Sequence, residues 1–81
     1  MNQTIKELVR IDLTKNQILA LESFIKDRGE EIFKNSTLLK VINRGDFDSV
    51  PNELAKWTID NGRRRPELVE LREKEIALFT K

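Results

Sequence analysis

Few side chains in this sequence could do chemistry. The 81 residues contain no histidine and no cysteine, but they include fourteen Asp and Glu, one tryptophan and the consecutive arginines Arg63, Arg64 and Arg65. The missing residue types exclude thiol nucleophiles, disulfides, Cys/His zinc sites and histidine-based triads. We therefore expect no metal site and no cofactor, and any function must use the carboxylates, the arginines or the tryptophan.

The three arginines concentrate positive charge in a chain whose formal net charge is only +1. Such a cluster can bind phosphate, an acidic partner or an anionic polymer, and the alternative is a solvated loop. Asp60, Glu67 and Glu70 flank the cluster, and no aromatic platform accompanies it. Nucleic acid is therefore not an expected partner.

Trp57, the single tryptophan, has two interpretations. Its indole could stack on a sugar or anchor a protein partner. A large residue at the end of an amphipathic helix is, however, more typical of a core. Both interpretations stay open at this point.

Glycine and proline interrupt the chain at helix-length intervals, which predicts an all-α fold of four to six short helices and no strand. A single domain is expected over residues 1–81, with a lead helix in residues 1–11. The best-marked helix begins at a capping box formed by Thr14 and Gln17 and ends near Gly29, where glycine supplies a left-handed cap.

Three further helices are predicted after that glycine, in addition to one or two turns over residues 30–34. The first covers residues 37–44 and is capped by Asn35 and Ser36. The second begins around Pro51 and runs through Trp57 towards Gly62. The third covers residues 67–79, is opened by Pro66, and follows a loop at residues 63–65.

The order of these features resembles a known family. The matching strings are Leu13-Thr14-x-Asn16-Gln17, Phe33-x-x-Ser36-Thr37-Leu38-Leu39, Asn43-x-Gly45-Asp46-Phe47, Glu53-Leu54-x-x-Trp57, Gly62-Arg63 and Leu68-Val69-x-x-Arg72-x-x-Glu75-x-x-Leu78-Phe79. Together, over residues 12–79, they resemble the C-terminal lobe of phage-type lysozymes, the endolysin glycoside hydrolases. The resemblance implies a helical lobe with Arg72 in its last helix.

The resemblance also implies that the catalytic Glu, Asp and Thr belong to an N-terminal lobe that precedes this region. The final helix departs from the family pattern, because Glu67 and Leu71 replace a glycine and an arginine. We therefore expect no catalytic residues and no enzyme activity. The candidate binding residues are Arg63, Arg64, Arg65 and Arg72, with Trp57 as an anchor.

Glycoside hydrolysis normally requires two carboxyl groups across a cleft, one of them in an apolar pocket. Glu53 and Glu75 are the best candidates in this chain, because each lies beside apolar rows. For both, the favoured interpretation is a partly buried structural partner of Arg72 or Arg63.

Three functions remain open at this stage. The first is a non-catalytic binding module that associates with peptidoglycan or a lysis partner. The second is a small phage inhibitor that binds a host protein, and the third is the C-terminal half of a split muramidase completed by a separate catalytic lobe. A homodimer is compatible with each. With neither a secretion signal nor a membrane span expected, the predicted location is the host cytoplasm, with periplasmic action after release by a lysis system.

Overall fold

The computed structural model describes residues 3–81, most of which are helical. Six α-helices lie in this part of the chain: α1 (Gln3–Leu8), α2 (Lys15–Arg28), α3 (Glu30–Lys34), α4 (Thr37–Asn43), α5 (Val50–Ala55) and α6 (Pro66–Thr80). Two 3₁₀ turns, at Phe47–Ser49 and Lys56–Thr58, flank α5. The predicted all-α class with at most six helices is confirmed.

The core lies between α2 and α6, which are the two longest helices and pack along each other. Leu21 and Phe24 of α2 and Phe79 of α6 are at most 2% exposed. Aromatic rings meet edge to face in this core, with centroids 6.2 Å apart for Phe24 and Phe33 and 5.4 Å apart for Phe47 and Phe79. Edge-to-face contacts add stability beyond the burial of area, which a small domain with a thin core needs.

The predicted start of α2 is confirmed. The Gln17 amide donates to Thr14 Oγ1 at 3.1 Å, and the Thr14 amide donates to Gln17 Oε1 at 2.8 Å. The helix ends at Gly29 as expected, but the glycine is not in the left-handed helical conformation, since φ is +96° and ψ is 159°. The reason is that Gly29 also precedes α3, and the extended ψ carries the chain directly into that helix.

Helix α1 is shorter than the predicted lead helix, whose first two positions lie outside the described residues. Ile5 is buried in the core. The segment after α1 is fixed by one side-chain amide of α4, because Asn43 Nδ2 donates to the Leu8 carbonyl at 3.0 Å and the Arg10 amide donates to Asn43 Oδ1 at 2.8 Å. These two hydrogen bonds, which we call the Asn43 bracket, connect the segment after α1 to α4.

The predicted continuation of the fifth helix towards Gly62 is wrong, and so is the prediction of no strand. Helix α5 ends at Ala55, and the chain continues through the 3₁₀ turn into a two-stranded antiparallel hairpin, β1 (Ile59–Asp60) and β2 (Arg63–Arg64). Asn61 and Gly62 connect the strands with φ of 53° and 79°. This positive-φ pair is typical of the two-residue hairpin turn that Asn-Gly favours.

Helix α6 begins at Pro66, as the sequence predicts, because a proline in the first helical turn loses no amide hydrogen bond. Within residues 3–81, none of the helices has both the length and the apolar character needed to cross a membrane.

Candidate binding surface

Arg72 lies inside the molecule, between α6, α2 and the 3₁₀ turn that contains Trp57. Its guanidinium donates through Nη1 to Glu75 Oε1 at 2.7 Å and through Nε to the Trp57 carbonyl at 3.0 Å. Nη2 donates to Asp27 Oδ2. The guanidinium carbon also lies 5.0 Å from the centroid of the Phe24 ring, in a cation–π contact. Every nitrogen of this buried side chain therefore has a partner.

Glu75 completes this ionic cluster, which we define as Ser23, Asp27, Arg72 and Glu75. One carboxylate oxygen of Glu75 accepts from Arg72, and the other accepts from the Ser23 hydroxyl at 2.5 Å. Burial raises the pKa of Glu75, and the opposing effects of the Ser23 hydrogen bond and the Arg72 charge offset this only in part, so the pKa lies above its ordinary value. Among residues 3–81, Glu75 is the one buried carboxylic acid, with 1% of its surface exposed.

The positions of Glu75 and Arg72 have different consequences for their predicted roles. Glu75 is a structural partner of Arg72, as expected. Arg72 itself was expected on a binding surface, but it is only 1% exposed and cannot reach a ligand without unfolding the α2–α6 contact. Glu53 pairs with Lys56 at 2.9 Å rather than with Arg63 or Arg72.

The position of Arg72 could have been found from its helical spacing. Arg72 and Glu75 follow Leu68 by four and seven positions and precede the buried Phe79 by seven and four. They therefore lie on the helix face that packs on the core. The charge of Arg72, rather than its position on the helix, suggested a surface role for that residue.

The three consecutive arginines are not equivalent. Arg63 and Arg64 are exposed on β2, and successive strand residues point to opposite faces of the hairpin. Arg65 is half-buried, with its amide bonded to the Thr58 carbonyl at 2.9 Å and its Nε 3.9 Å from Asp60 Oδ2. Within this cluster of three arginines, the accessible positive charge therefore belongs to Arg63 and Arg64.

Trp57 packs on the core, as one of its two interpretations predicts. Its indole meets the Phe24 ring edge to face with centroids 5.6 Å apart, and the Arg28 guanidinium lies 5.6 Å from the indole centroid. The side chain is half-buried and borders two grooves, of about 380 Å³ and 280 Å³, that share Thr37 as a lining residue. An indole beside hydroxyl, amide and carboxylate groups suits the binding of a polar, partly apolar ligand such as a sugar.

A third groove, of about 210 Å³, is lined mainly by apolar side chains of α1, the segment that follows it and the start of α2. Its lining residues are Ile5, Lys6, Val9, Ile11, Asp12, Leu13 and Ile18. Separately, no cluster of three or more acidic side chains able to hold a metal ion is found in residues 3–81.

The helical lobe, with its α2–α6 core, hairpin and capped helices, is that of a lysozyme. The family model for phage lysozyme matches residues 1–75, and the chain belongs to this family. It is 39% identical over 75 residues to the endolysin of Bacillus phage B103 and, with the same identity and length, to the SAR-endolysin of Escherichia phage Mu. Each match covers 93% of this chain.

The solved structures agree with this assignment. The muramidase domain of SpmX from Asticaccaulis excentricus matches 98% of this chain with a TM-score of 0.90 and 31% identity, and the match covers 56% of that domain's chain. The chain spans less than half of each of the two phage proteins, covering 28% of the B103 endolysin and 44% of the phage Mu SAR-endolysin.

Proposed function

We propose that this chain is a non-catalytic, peptidoglycan-binding lobe of the phage lysozyme family. The observation that supports the absence of catalysis is the state of Glu75. A general acid needs a carboxyl group that is buried and free to deliver its proton to substrate. Glu75 is buried, but both of its oxygens are occupied by Arg72 and Ser23.

The other carboxylate singled out in the sequence does not replace it. The Glu53 carboxylate is paired with the Lys56 ammonium at 2.9 Å, so it is not free to deliver a proton to a substrate. Activity would also need a second carboxyl group at a defined distance across a cleft. The chain alone is therefore expected to bind cell-wall polymer without cutting it.

Three side chains support binding. Trp57 offers an indole edge between two grooves, and Arg63 and Arg64 present two cations on the adjoining hairpin. Aromatic surface suits the apolar faces of sugars, and arginines suit the carboxylates of peptidoglycan peptides. Arg63 and Arg64 are exposed, and Trp57 keeps part of its side chain accessible beside its contact with Phe24.

Co-sedimentation with purified peptidoglycan tests the proposal. The native chain should pellet with the polymer, and an Arg63→Ala/Arg64→Ala double variant should bind several-fold more weakly while keeping its helical circular dichroism. A Lys40→Ala/Arg44→Ala variant removes the same charge from α4 and its C-terminal end and should bind normally. Equal binding by both variants would remove the hairpin from the site.

A turbidity assay tests the catalytic part of the proposal separately. The chain alone should not clear a suspension of cell walls. Lysis that disappears in Glu53→Ala, with the helical circular dichroism of the variant unchanged, would show that the chain is an enzyme and would overturn the proposal.

A second candidate function is one half of a two-part muramidase. The apolar groove beside α1 favours it, because Ile5, Val9 and Ile18 give that groove the character of a docking surface. Mixing the chain with the remaining part of the phage Mu endolysin should then restore lytic activity. Val9→Asp should abolish this restoration, whereas Val69→Asp on α6 should not.

A further inference from the structure

The turn of the hairpin carries an asparagine directly followed by a glycine. Asn61 and Gly62 are both exposed, at the tip that connects β1 and β2. A backbone nitrogen can attack the side-chain carbonyl carbon of the preceding asparagine and close a five-membered ring. Glycine favours this attack, because it has no Cβ to shield its nitrogen or to restrict rotation of the chain.

Neither reacting group is held in place by the rest of the molecule. Within the described part of the chain, the Asn61 carboxamide and the Gly62 amide form no hydrogen bond. Asn35 is also exposed, but its Nδ2 donates to a helix carbonyl at 3.0 Å, and the amide of the following Ser36 donates to the Phe33 carbonyl at 3.1 Å. The two groups that would react are therefore both free at Asn61 and both bonded at Asn35.

The hairpin that carries this pair opens easily. Each strand has only two residues, and all four are exposed, whereas a stable hairpin needs further strands or a packed face. Ring closure requires rotation about the Asn61 Cα–C bond, which the closed two-residue turn fixes. The reaction therefore takes place in the transiently opened hairpin, and local opening of an exposed segment costs little free energy.

We propose that Asn61 is a site of spontaneous deamidation. The Gly62 nitrogen gives up its proton and bonds to Asn61 Cγ, the bond from Cγ to the side-chain nitrogen breaks, and ammonia leaves with the proton. Water then adds to one of the two carbonyl carbons of the succinimide. Addition at Cγ breaks the new bond and gives aspartate, whereas addition at the main-chain carbon breaks the original peptide bond and gives isoaspartate. The reaction uses only water, so it does not depend on the proposed function.

The two products affect the hairpin differently. Aspartate followed by glycine suits the same two-residue turn as asparagine followed by glycine, so the aspartate product keeps the hairpin. Isoaspartate adds a methylene group to the main chain, which a turn of this fixed length does not accommodate. The isoaspartate product therefore loses the 2.9 Å hydrogen bond from the Arg65 amide to the Thr58 carbonyl at the base of the hairpin. Arg63 and Arg64 are then released from their positions on β2.

Mass spectrometry of the native chain, stored at mildly alkaline pH and digested with trypsin, tests the proposal. Cleavage after Lys56 and Arg63 gives a fragment whose one asparagine is Asn61, and this fragment should gain the mass that separates an acid from an amide. The conversion should be at least about tenfold faster than at the exposed Asn35 and Asn52, a difference of about 1.4 kcal/mol in activation free energy. Equal rates at the three positions would overturn the proposal.

Two further measurements test the cyclic route. The rate should rise with pH, because the Gly62 nitrogen must lose its proton to react, and both aspartate and isoaspartate should form. Asn61→Gly keeps a residue pair suited to the turn and should show no mass gain in the same fragment. A rate independent of pH, or aspartate as the sole product, would show direct hydrolysis and overturn the ring closure.

Amide chemical shifts test the effect on the hairpin. Asn61→Asp is the matched control, since it carries the same new charge on an unaltered main chain, and it should retain the native shifts of residues 63–65. The isoaspartate form, separated from the stored protein by ion exchange, should lose them while keeping the shifts of α2 and α6. Native shifts at residues 63–65 in the isoaspartate form would contradict the loss of the hairpin.

Discussion

Arg72 and Arg64 are eight residues apart in the sequence and have opposite roles in the structure. Arg72 is enclosed by two carboxylates, a backbone carbonyl and an aromatic ring. Arg64 is exposed at the edge of an open groove and pairs with no acid of residues 3–81. The same residue type therefore stabilises the fold in one region and remains available to a partner in the other.

The environment, rather than the charge, creates the difference. Arg72 gave up its hydration on folding, so its partners must replace water completely, and loss of any one of them is costly. Arg64 keeps its hydration, so its removal costs the fold little. Three substitutions, taken from the largest expected effect to the smallest, test this contrast.

Arg72→Ala should produce the largest effect. It leaves Glu75 buried without its cationic partner, which typically costs about 3–5 kcal/mol in the free energy of unfolding. Urea denaturation measures this loss, and circular dichroism shows whether the variant folds at all. Arg64→Ala is the matched control and should change the free energy of unfolding by less than about 0.5 kcal/mol. Similar losses in the two variants would break the contrast.

Ser23→Ala should have an intermediate effect. It removes the hydroxyl that donates to Glu75 at 2.5 Å, and a hydrogen bond to a charged group contributes about 1.5–3 kcal/mol. The pKa of Glu75 should rise further, because the Ser23 hydrogen bond lowers it in the native chain. Denaturation in urea measures the first effect, and the carboxyl carbon resonance of Glu75, followed against pH, measures the second. A pKa that stays the same or falls would contradict the contact.

Glu75→Gln should have the smallest effect at neutral pH. The amide can still accept from Arg72 and donate to Ser23, so the hydrogen bonds are retained. In the native chain the pKa of Glu75 is raised above 4.5. Glu75 therefore contributes stability that is present below about pH 4.5 and is lost as the pH rises through the folded pKa.

The Glu75→Gln variant has no carboxyl group to ionise at this position, so it does not lose stability in this way as the pH rises. Its stability relative to the native chain should therefore increase between pH 4 and pH 7, in paired urea titrations. A decrease over the same interval would mean that ionised Glu75 stabilises the cluster more than burial penalises it.

The helix boundaries set by local signals were predictable from the sequence. Thr14 with Gln17, Ser36 and Pro66 each act on groups within one helical turn, and each begins a helix as predicted. The hairpin was not predicted because its strands are only two residues long and lack an alternating apolar pattern. The Asn61-Gly62 pair was its one clear signal.

The candidate site was only partly predictable, for a different reason. The sequence identifies the cluster Arg63, Arg64 and Arg65, but it does not separate the half-buried Arg65 from the exposed pair. That separation depends on contacts between β2, Thr58 and Asp60. The groove that Arg64 lines together with Pro66, Val69, Glu70 and Glu73 also depends on the hairpin, because the hairpin carries Arg64 beside α6.

The Asn43 bracket has a consequence for the order in which the molecule opens. Helix α1 has six residues, too few to be stable in isolation. The Asn43 amide and the buried Ile5 hold it against the core. Local unfolding of α1 therefore requires the release of these contacts and of the packing of Leu8 on the core, whereas opening of α2 and α6 requires the loss of the larger core that these two helices share. Amide protons of α1 should accordingly exchange with solvent through a low-energy partial unfolding, well before those of the central helix pair.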